Sequence, residues 1–172
     1  MLEIAVNLFV IIALLSFFIV VYHFFRPILW GAPYAPSDKG KIERMLAFVH
    51  VEKGERAVDI GSGDGRIVIE LARRGAIATG FERNPILVAL SNWRIRRAGL
   101  KDRAHVYRRN FWKEDFSSFN VVTIFGITYI MPGLEKKLTK ELRPGTRVAV
   151  NYFPFPHWKA KRTEKAVYYY EK

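Results

Sequence analysis

The sequence predicts an α/β fold, a doubly wound and mostly parallel sheet with helices on both faces, preceded by one N-terminal transmembrane helix. Three observations predict it. The run Ile4–Phe25 is apolar apart from Asn7, Ser16 and His23. From Arg56 onward, short apolar runs alternate with stretches of helical period. A glycine-rich loop, Asp59 to Gly65, follows the first of those runs directly, as in Rossmann-like sheets.

The apolar run comes first in the chain. Its 22 residues would make a helix of about 33 Å, enough to cross the hydrocarbon layer of a bilayer. A secretory signal peptide would need a basic start and a small-residue cleavage site. The chain instead opens Met-Leu-Glu, and its nearest alanines lie among prolines. A buried core helix would also be apolar, although such helices rarely stay free of charge for so long. Glu3 is the lone charge before Arg26, so all 28 Lys and Arg follow the run. The positive-inside rule then predicts a single-pass protein with its domain on the cytoplasmic or matrix side.

Residues 26–36 (RPILWGAPYAP) hold three prolines and read as a short extended linker. Trp30 and Tyr34 suit the headgroup level. The domain is expected over residues 37–172. Ser37 or Asp38 can cap a helix whose apolar positions are Ile42, Met45, Leu46 and Val49. Strands are expected at Arg56–Ile60, Ala76–Phe81, Ala104–Tyr107, Val121–Phe125, Thr146–Phe153 and Ala166–Tyr170. Helices are expected at Gly65–Arg74, Pro85–Ala98 and Pro132–Glu141. The chain contains no cysteine, which excludes disulfides, zinc-thiolate sites and thiol catalysis. His23, His50, His105 and His157 are scattered and adjoin no acid at useful spacing, and no metal-ligand cluster is visible.

The loop carries the chemistry. Gly61, Gly63 and Gly65 let the backbone turn tightly and let a ligand approach the main chain, with Ser62 between them. The spacing is GxGxG rather than GxGxxG, and Asp59 and Asp64 flank it. A pyrophosphate would be repelled by those carboxylates, whereas the cationic methionyl part of S-adenosylmethionine would be accepted. Glu82 ends the second strand, 21 residues beyond Gly61, where an acid takes the ribose hydroxyls. Asn110, just after the third strand, is placed to hydrogen-bond the adenine edge, and Phe111 to pack on the base; Phe111 and Trp112 can also be core. The fourth strand runs into Gly126-Ile127-Thr128-Tyr129, where methyltransferases using S-adenosylmethionine on such a sheet place the substrate nucleophile, and no Asn-Pro-Pro-Tyr-type sequence, which would suggest amide or base-amine methylation, stands there.

The stretches VDIGSGDGRIVI, GFERNPILVALS, NFWK, VVTIFG, LEKKLTKELRPGTRV and FPFPHW resemble the small membrane-anchored class I (seven-β-strand) lysine methyltransferases of mitochondria. Those act on the adenine nucleotide translocase and on the ring-forming c protein of ATP synthase. The domain is also similar to an archaeal protein lysine methyltransferase. The resemblance covers about Tyr34 to Trp158 and includes the entry Tyr34-Ala35-Pro36-Ser37. It implies methyl transfer from S-adenosylmethionine to a protein lysine. It also implies cofactor contacts at Asp59, Gly61, Gly63, Glu82 and Asn110, and a pocket-lining Tyr34. The mitochondrial members usually carry an acid where Asn110 stands.

Methyl transfer needs a neutral amine, and free lysine has a pKa near 10.4. An apolar pocket holding a cation lowers that value, so no dedicated general base is expected. Tyr34 and Tyr129 are the candidates for orienting the amine. The expected partners are a lipid bilayer through residues 4–25 and a lysine on a membrane-associated protein. Arg94, Arg96, Arg97, Lys101, Arg103, Arg108 and Arg109 would hold the domain against anionic lipid. A formal net charge of +12 keeps RNA as the rival substrate; against nucleic acid stand the lack of a separate RNA-binding module and an anchor without purpose there. The residues also leave open lipid or quinone methylation, and a non-enzymatic cofactor-binding adaptor.

Overall fold

The computed structural model describes the backbone of residues 2–30 and 38–172, and side chains over the same residues except 2, 5 and 23–30. The chain divides into two units, Met1–Ala35 and Pro36–Lys172.

The first unit contains one helix, α1 (Leu2–Trp30). Its described apolar side chains, among them Ile4, Phe9, Phe17, Phe18 and Val20, are exposed on every side. A helix apolar all round belongs in a core or a bilayer. Among the described residues, however, no helix is long and apolar enough to cross a membrane. The structure thus does not support the expected transmembrane helix over residues 4–25; it shows α1 as an exposed apolar helix. The linker also changes, because residues 26–30 are helical rather than extended. The rest of the expected linker, Tyr34 and the candidate cap Ser37 lie outside the described residues.

The second unit is built on a seven-stranded sheet of order β3-β2-β1-β4-β5-β7-β6. Its strands are β1 (Arg56–Ile60), β2 (Ile77–Glu82), β3 (Ala104–Arg108), β4 (Val121–Phe125), β5 (Arg147–Asn151), β6 (Arg162–Glu164) and β7 (Val167–Glu171). The first five run parallel, while β7 is antiparallel to both β5 and β6. Helices α2 (Lys39–Val49), α3 (Arg66–Arg73), α4 (Pro85–Arg97) and α5 (Met131–Glu141) complete the unit, with 3-10 turns at Phe111–Lys113 and Thr128–Ile130.

The helices start for local reasons. Asp38 precedes α2, but its carbonyl rather than its side chain accepts the Lys41 and Ile42 amides at 3.1 Å. Asn84 caps α4 by accepting the Ile86 amide at 2.9 Å, and Pro85 takes the first turn.

The two faces of the sheet are unequal. One is covered by α2, α3 and α4, and there the strands present Ala57, Ala78, Ala104 and Ala149 together with Val106, Val121 and Val167. Small side chains let three helices sit close to the sheet. The other face has only α5, since the β3–β4 connection makes a 3-10 turn instead of a helix. Large side chains fill the space there: Phe81, Phe116, Phe119, Phe155 and Tyr170 are all buried. Phe155 stacks on Trp158 with ring centroids 5.5 Å apart, and its amide donates to the Tyr170 hydroxyl at 3.0 Å. The segment from Phe153 to Trp158 thus serves as a strap over that face. Glu135 on α5 holds it by accepting the His157 amide at 3.2 Å. His157 Nδ1 lies 3.5 Å from the same carboxylate, so the fold pairs His157 with an acid that sequence spacing does not reveal.

Candidate functional site

Because β1 to β5 are parallel, their carboxyl ends share one edge of the sheet. That edge collects the loop after β1, Glu82 at the end of β2, Asn110 after β3, Phe125 to Tyr129 after β4, and Tyr152 and Phe153 after β5. Ligands bind there in open parallel sheets.

The loop takes a conformation that favours glycine. Gly61, Gly63 and Gly65 have φ of 74°, 54° and 78°, where a side chain is strained. A Cβ on Gly61 would meet nothing within 4 Å, so the backbone there opens onto free space, whereas one on Gly65 would lie 2.8 Å from Ser91 Cβ. Ser91, buried on α4, places its hydroxyl 2.9 Å from the Gly63 carbonyl. Glu82 fixes the other side of the loop. Its Oε2 accepts the Gly63 amide at 3.0 Å, while Oε1 accepts the Arg83 and Asn84 amides at 2.7 and 2.8 Å. Oε1 is thereby filled, and Oε2 retains room for a further donor, which suits a ribose hydroxyl.

Asp59 lies beneath this loop, 3% exposed. In the strand register it is flanked by Gly80 on β2 and Thr123 on β4. The Thr123 hydroxyl donates to Asp59 Oδ1 at 2.8 Å. Burial pushes the Asp59 carboxyl up to about 7; the Thr123 hydrogen bond opposes the shift, and the negative charges of Glu82 and Asp64 add to it. A cation arriving at this edge would favour ionised Asp59, so the donor set fits a sulfonium bearing an α-ammonium. When bound, S-adenosylmethionine supplies an activated methyl group. Ser62 is buried, and its hydroxyl has no hydrogen-bond partner among the described residues. It packs over Gly80, where a Cβ would come within 2.6 Å of the Ser62 Oγ and 2.8 Å of Val106 Cγ2.

Asp64, the other acid of the loop, is held by arginines. Arg66 grips it at 2.9 and 2.7 Å, and Arg94 on α4 binds the same carboxylate. With 2% of Asp64 exposed, its charge is spent on fastening the loop to α3 and α4. Arg66 and Arg94 also line a groove of about 790 Å³ with Ile42, Leu46 and Ile69, on the helix-covered side and away from the strand ends.

Asn110 uses its Oδ1 to accept the Trp112 amide at 3.3 Å, capping the 3-10 turn. An adenine contact would fall to its amide group, a donor. Phe111 is half-buried against the one-helix face, 4.9 Å from the Trp112 ring, a position compatible both with a base contact and with core packing. Tyr129 is 70% exposed beside the carboxyl end of β4. Tyr34 lies outside the described residues. Thr123, Ser91, Gly80 and Tyr152 belong to the site region without standing out in the sequence. A threonine inside an otherwise aliphatic strand and a serine inside an apolar helix are the signals that could have marked two of them. Among the described residues, no group of His, Cys, Asp and Glu is placed to hold a metal ion.

Residues 59–162 match the family model described as the ANTKMT methyltransferase domain. The rat lysine N-methyltransferase of the ATP synthase c protein is 41% identical over 153 residues, 88% of this chain and 70% of that protein. A protein-lysine N-methyltransferase of Saccharolobus islandicus is 38% identical, covering 77% of this chain and 84% of its own. Among solved structures, a Salinibacter ruber RNA methyltransferase in complex with S-adenosyl-L-homocysteine superposes with a TM-score of 0.77. It is 32% identical and covers 80% of this chain and 93% of its own. The chain spans 62% of the mouse counterpart of the rat enzyme and 54% of the human one. These likenesses agree with the glycine loop, Glu82 and the seven-stranded order: the chain belongs to the ANTKMT methyltransferase domain family, S-adenosylmethionine-dependent enzymes of the protein-lysine N-methyltransferase class.

Proposed function

We propose that this chain methylates the ε-amine of a lysine on a membrane-associated protein. The observation that carries the reading is the carboxyl edge of the sheet. Carboxylates line it at β1 and β2, and Phe125, Tyr129, Tyr152 and Phe153 gather at β4 and β5. The first group suits the cofactor, and the second suits an alkylammonium side chain. Asp59, Gly61, Gly63 and Glu82 hold the cofactor; Ser62 packs the loop onto β2; Asp64 braces it. The Asn110 amide meets the adenine edge, with Phe111 against the base. Tyr129, with Tyr34, orients the amine. Water takes the proton that lysine must lose, and rate comes from positioning.

The membrane part of the reading rests on α1. A helix with exposed Phe9, Phe17, Phe18 and Ile19 needs an apolar environment, and the basic residues that follow it favour anionic headgroups. It attaches the chain to the bilayer as a single-pass anchor, with the domain on the cytoplasmic or matrix side. The names of the relatives, which include a mouse adenine nucleotide translocase lysine N-methyltransferase, support a membrane-protein substrate.

The rival substrate is RNA, favoured by the name of the Salinibacter ruber structure and by the net charge of +12. Membranes incubated with methyl-tritiated cofactor decide between them. Label lost to protease and retained after ribonuclease, with methyl-lysine on hydrolysis, supports the proposal. Label released by ribonuclease, or extracted into organic solvent, overturns it. Retention of the chain in the membrane pellet after alkaline carbonate tests the anchor separately.

A further inference from the structure

At the end of β5 the chain does something costly. Tyr152 sits in the left-handed region at φ 73°, where a Cβ crowds the following carbonyl oxygen. Glycine would fit there without strain. The ring is not used to fill the core, since Tyr152 is 45% exposed. Its backbone is held in place by an amide hydrogen bond to the Ala166 carbonyl at 2.8 Å. The twist turns the ring to meet Phe125 edge-on, with centroids 5.5 Å apart, and brings Phe153 to 6.3 Å. Strain of this kind in a binding edge points to function when the strained side chain lies outside the core.

The face of that ring is already in use. The ammonium of Lys41, near the start of α2, lies 3.2 Å from the Tyr152 ring centroid, a cation–π contact. Tyr152 stands one residue past β5, beside the strand whose end carries Tyr129. A lysine ammonium is thus held on an aromatic face at the same strand ends as the cofactor loop.

We propose that the Tyr152 ring, braced by Phe125 and Phe153, is the recognition surface for the incoming lysine ammonium, and that Lys41 occupies it as an intramolecular competitor until substrate displaces it. The proposal rests on the lysine-methyltransferase reading. It adds the group that selects a cation before any proton is lost. Each methyl added leaves the amine able to carry its charge with a larger apolar surface, so the same face also retains partly methylated lysine for a further round.

Binding of small probes to the full chain tests this without requiring turnover. The probes are N-acetyl-trimethyllysine amide, permanently cationic, and N-acetyl-norleucine amide, which lacks the charge. Lys41→Ala should bind the cationic probe several-fold more tightly than the unaltered chain and gain nothing for norleucine. Tyr152→Ala should lose at least about tenfold in affinity for the cation, while Tyr152→Phe, which keeps the ring, should retain most of it. Affinity for S-adenosylhomocysteine should be the same in all three, which shows that the fold is intact. Equal affinity of Tyr152→Ala and the unaltered chain for the cationic probe would overturn the proposal, as would Lys41→Ala binding both probes alike. Label found only in RNA, with the cation still selected by Tyr152, would instead remove the lysine-methyltransferase reading.

Discussion

Thr123 on β4 donates its hydroxyl to Asp59 Oδ1 on β1 at 2.8 Å, both side chains buried beneath the cofactor loop. This hydrogen bond is the largest influence holding the Asp59 carboxyl down against the upward push of burial. Thr123→Val keeps the shape and removes the donor. The Asp59 pKa should rise further, and affinity for S-adenosylmethionine at pH 7 should fall about tenfold, in line with hydrogen bonds to charged groups worth ~1.5–3 kcal/mol. The loss should shrink at pH 9, where Asp59 ionises in either protein. Isothermal titration at the two pH values checks both parts.

Asp59 also sets a pH dependence of stability in the absence of cofactor. Its carboxyl titrates at about 7 in the fold and at 3.8 when exposed. Below the lower value both states hold the proton, and nothing is gained or lost. Between the two values the unfolded chain releases a proton that the folded chain keeps, so stability falls as pH rises. Above about 7 both are ionised and the penalty stays constant, on the order of a few kcal/mol. Cofactor affinity runs the opposite way and should climb as pH passes 7, because a cationic ligand prefers the carboxylate. Asp59→Asn should flatten both trends relative to the unaltered chain, as urea unfolding and cofactor titration between pH 5 and 9 would show.

Glu82 joins two structures, since it accepts amides from the loop at Gly63 and from Arg83 and Asn84 ahead of α4. Glu82→Ala should remove the ribose acceptor and loosen the loop together, reducing cofactor affinity by a factor of ~100 or more. Glu82→Gln keeps acceptor capacity on one oxygen and should fall between. Binding of a 2′,3′-dideoxy analogue of the cofactor should be affected much less than binding of the cofactor itself.

Asp64 should behave as a brace. Arg94→Ala leaves Arg66 in place and should cost about 1 kcal/mol, while removing both arginines takes both of these cations from a buried carboxylate and should cost ~3 kcal/mol or more. The excess of the double variant over the two single ones, read from chemical denaturation, measures the shared carboxylate.

Gly80→Ala would drive a methyl group into Ser62 Oγ at 2.6 Å and Val106 Cγ2 at 2.8 Å. The expected loss is about 2 kcal/mol, within the range for overpacking, and adding Ser62→Gly should restore part of it. Thermal unfolding of the three variants gives the comparison.

Much of this architecture is legible in the residues. The bounds of β1 and β4 agree with the sequence expectation to the residue, because strands buried on both faces are short apolar runs with sharp polar ends. The loop and Glu82 are legible for the same reason: a strand end, glycines and an acid at fixed spacing define one edge. β6 escapes such a reading because all three of its residues are exposed and carry no apolar pattern. The turn that joins it to β7 is hidden too, since Lys165 and Ala166 both adopt positive φ without the Asn-Gly pair that marks such turns. Asp64 reads from sequence as facing the ligand, and only the fold brings Arg94 from α4 onto it. Thr123, Gly80 and the Lys41–Tyr152 contact depend on cross-strand register or on distant segments, which no local spacing encodes.

The alanine floor beneath α2, α3 and α4 has a consequence for how such a chain can diverge or be redesigned. On that side a larger residue at Ala57, Ala78 or Ala149 would crowd the helices packed against the strands. The opposite side carries one helix, a 3-10 turn and the strap that Glu135 clasps at His157. New loops entering after β3 or β5 would land there, beside the carboxyl ends of β4 and β5. One side of the sheet is thus a fixed chassis, and the other is the place where a change of client can be written without rebuilding the machine.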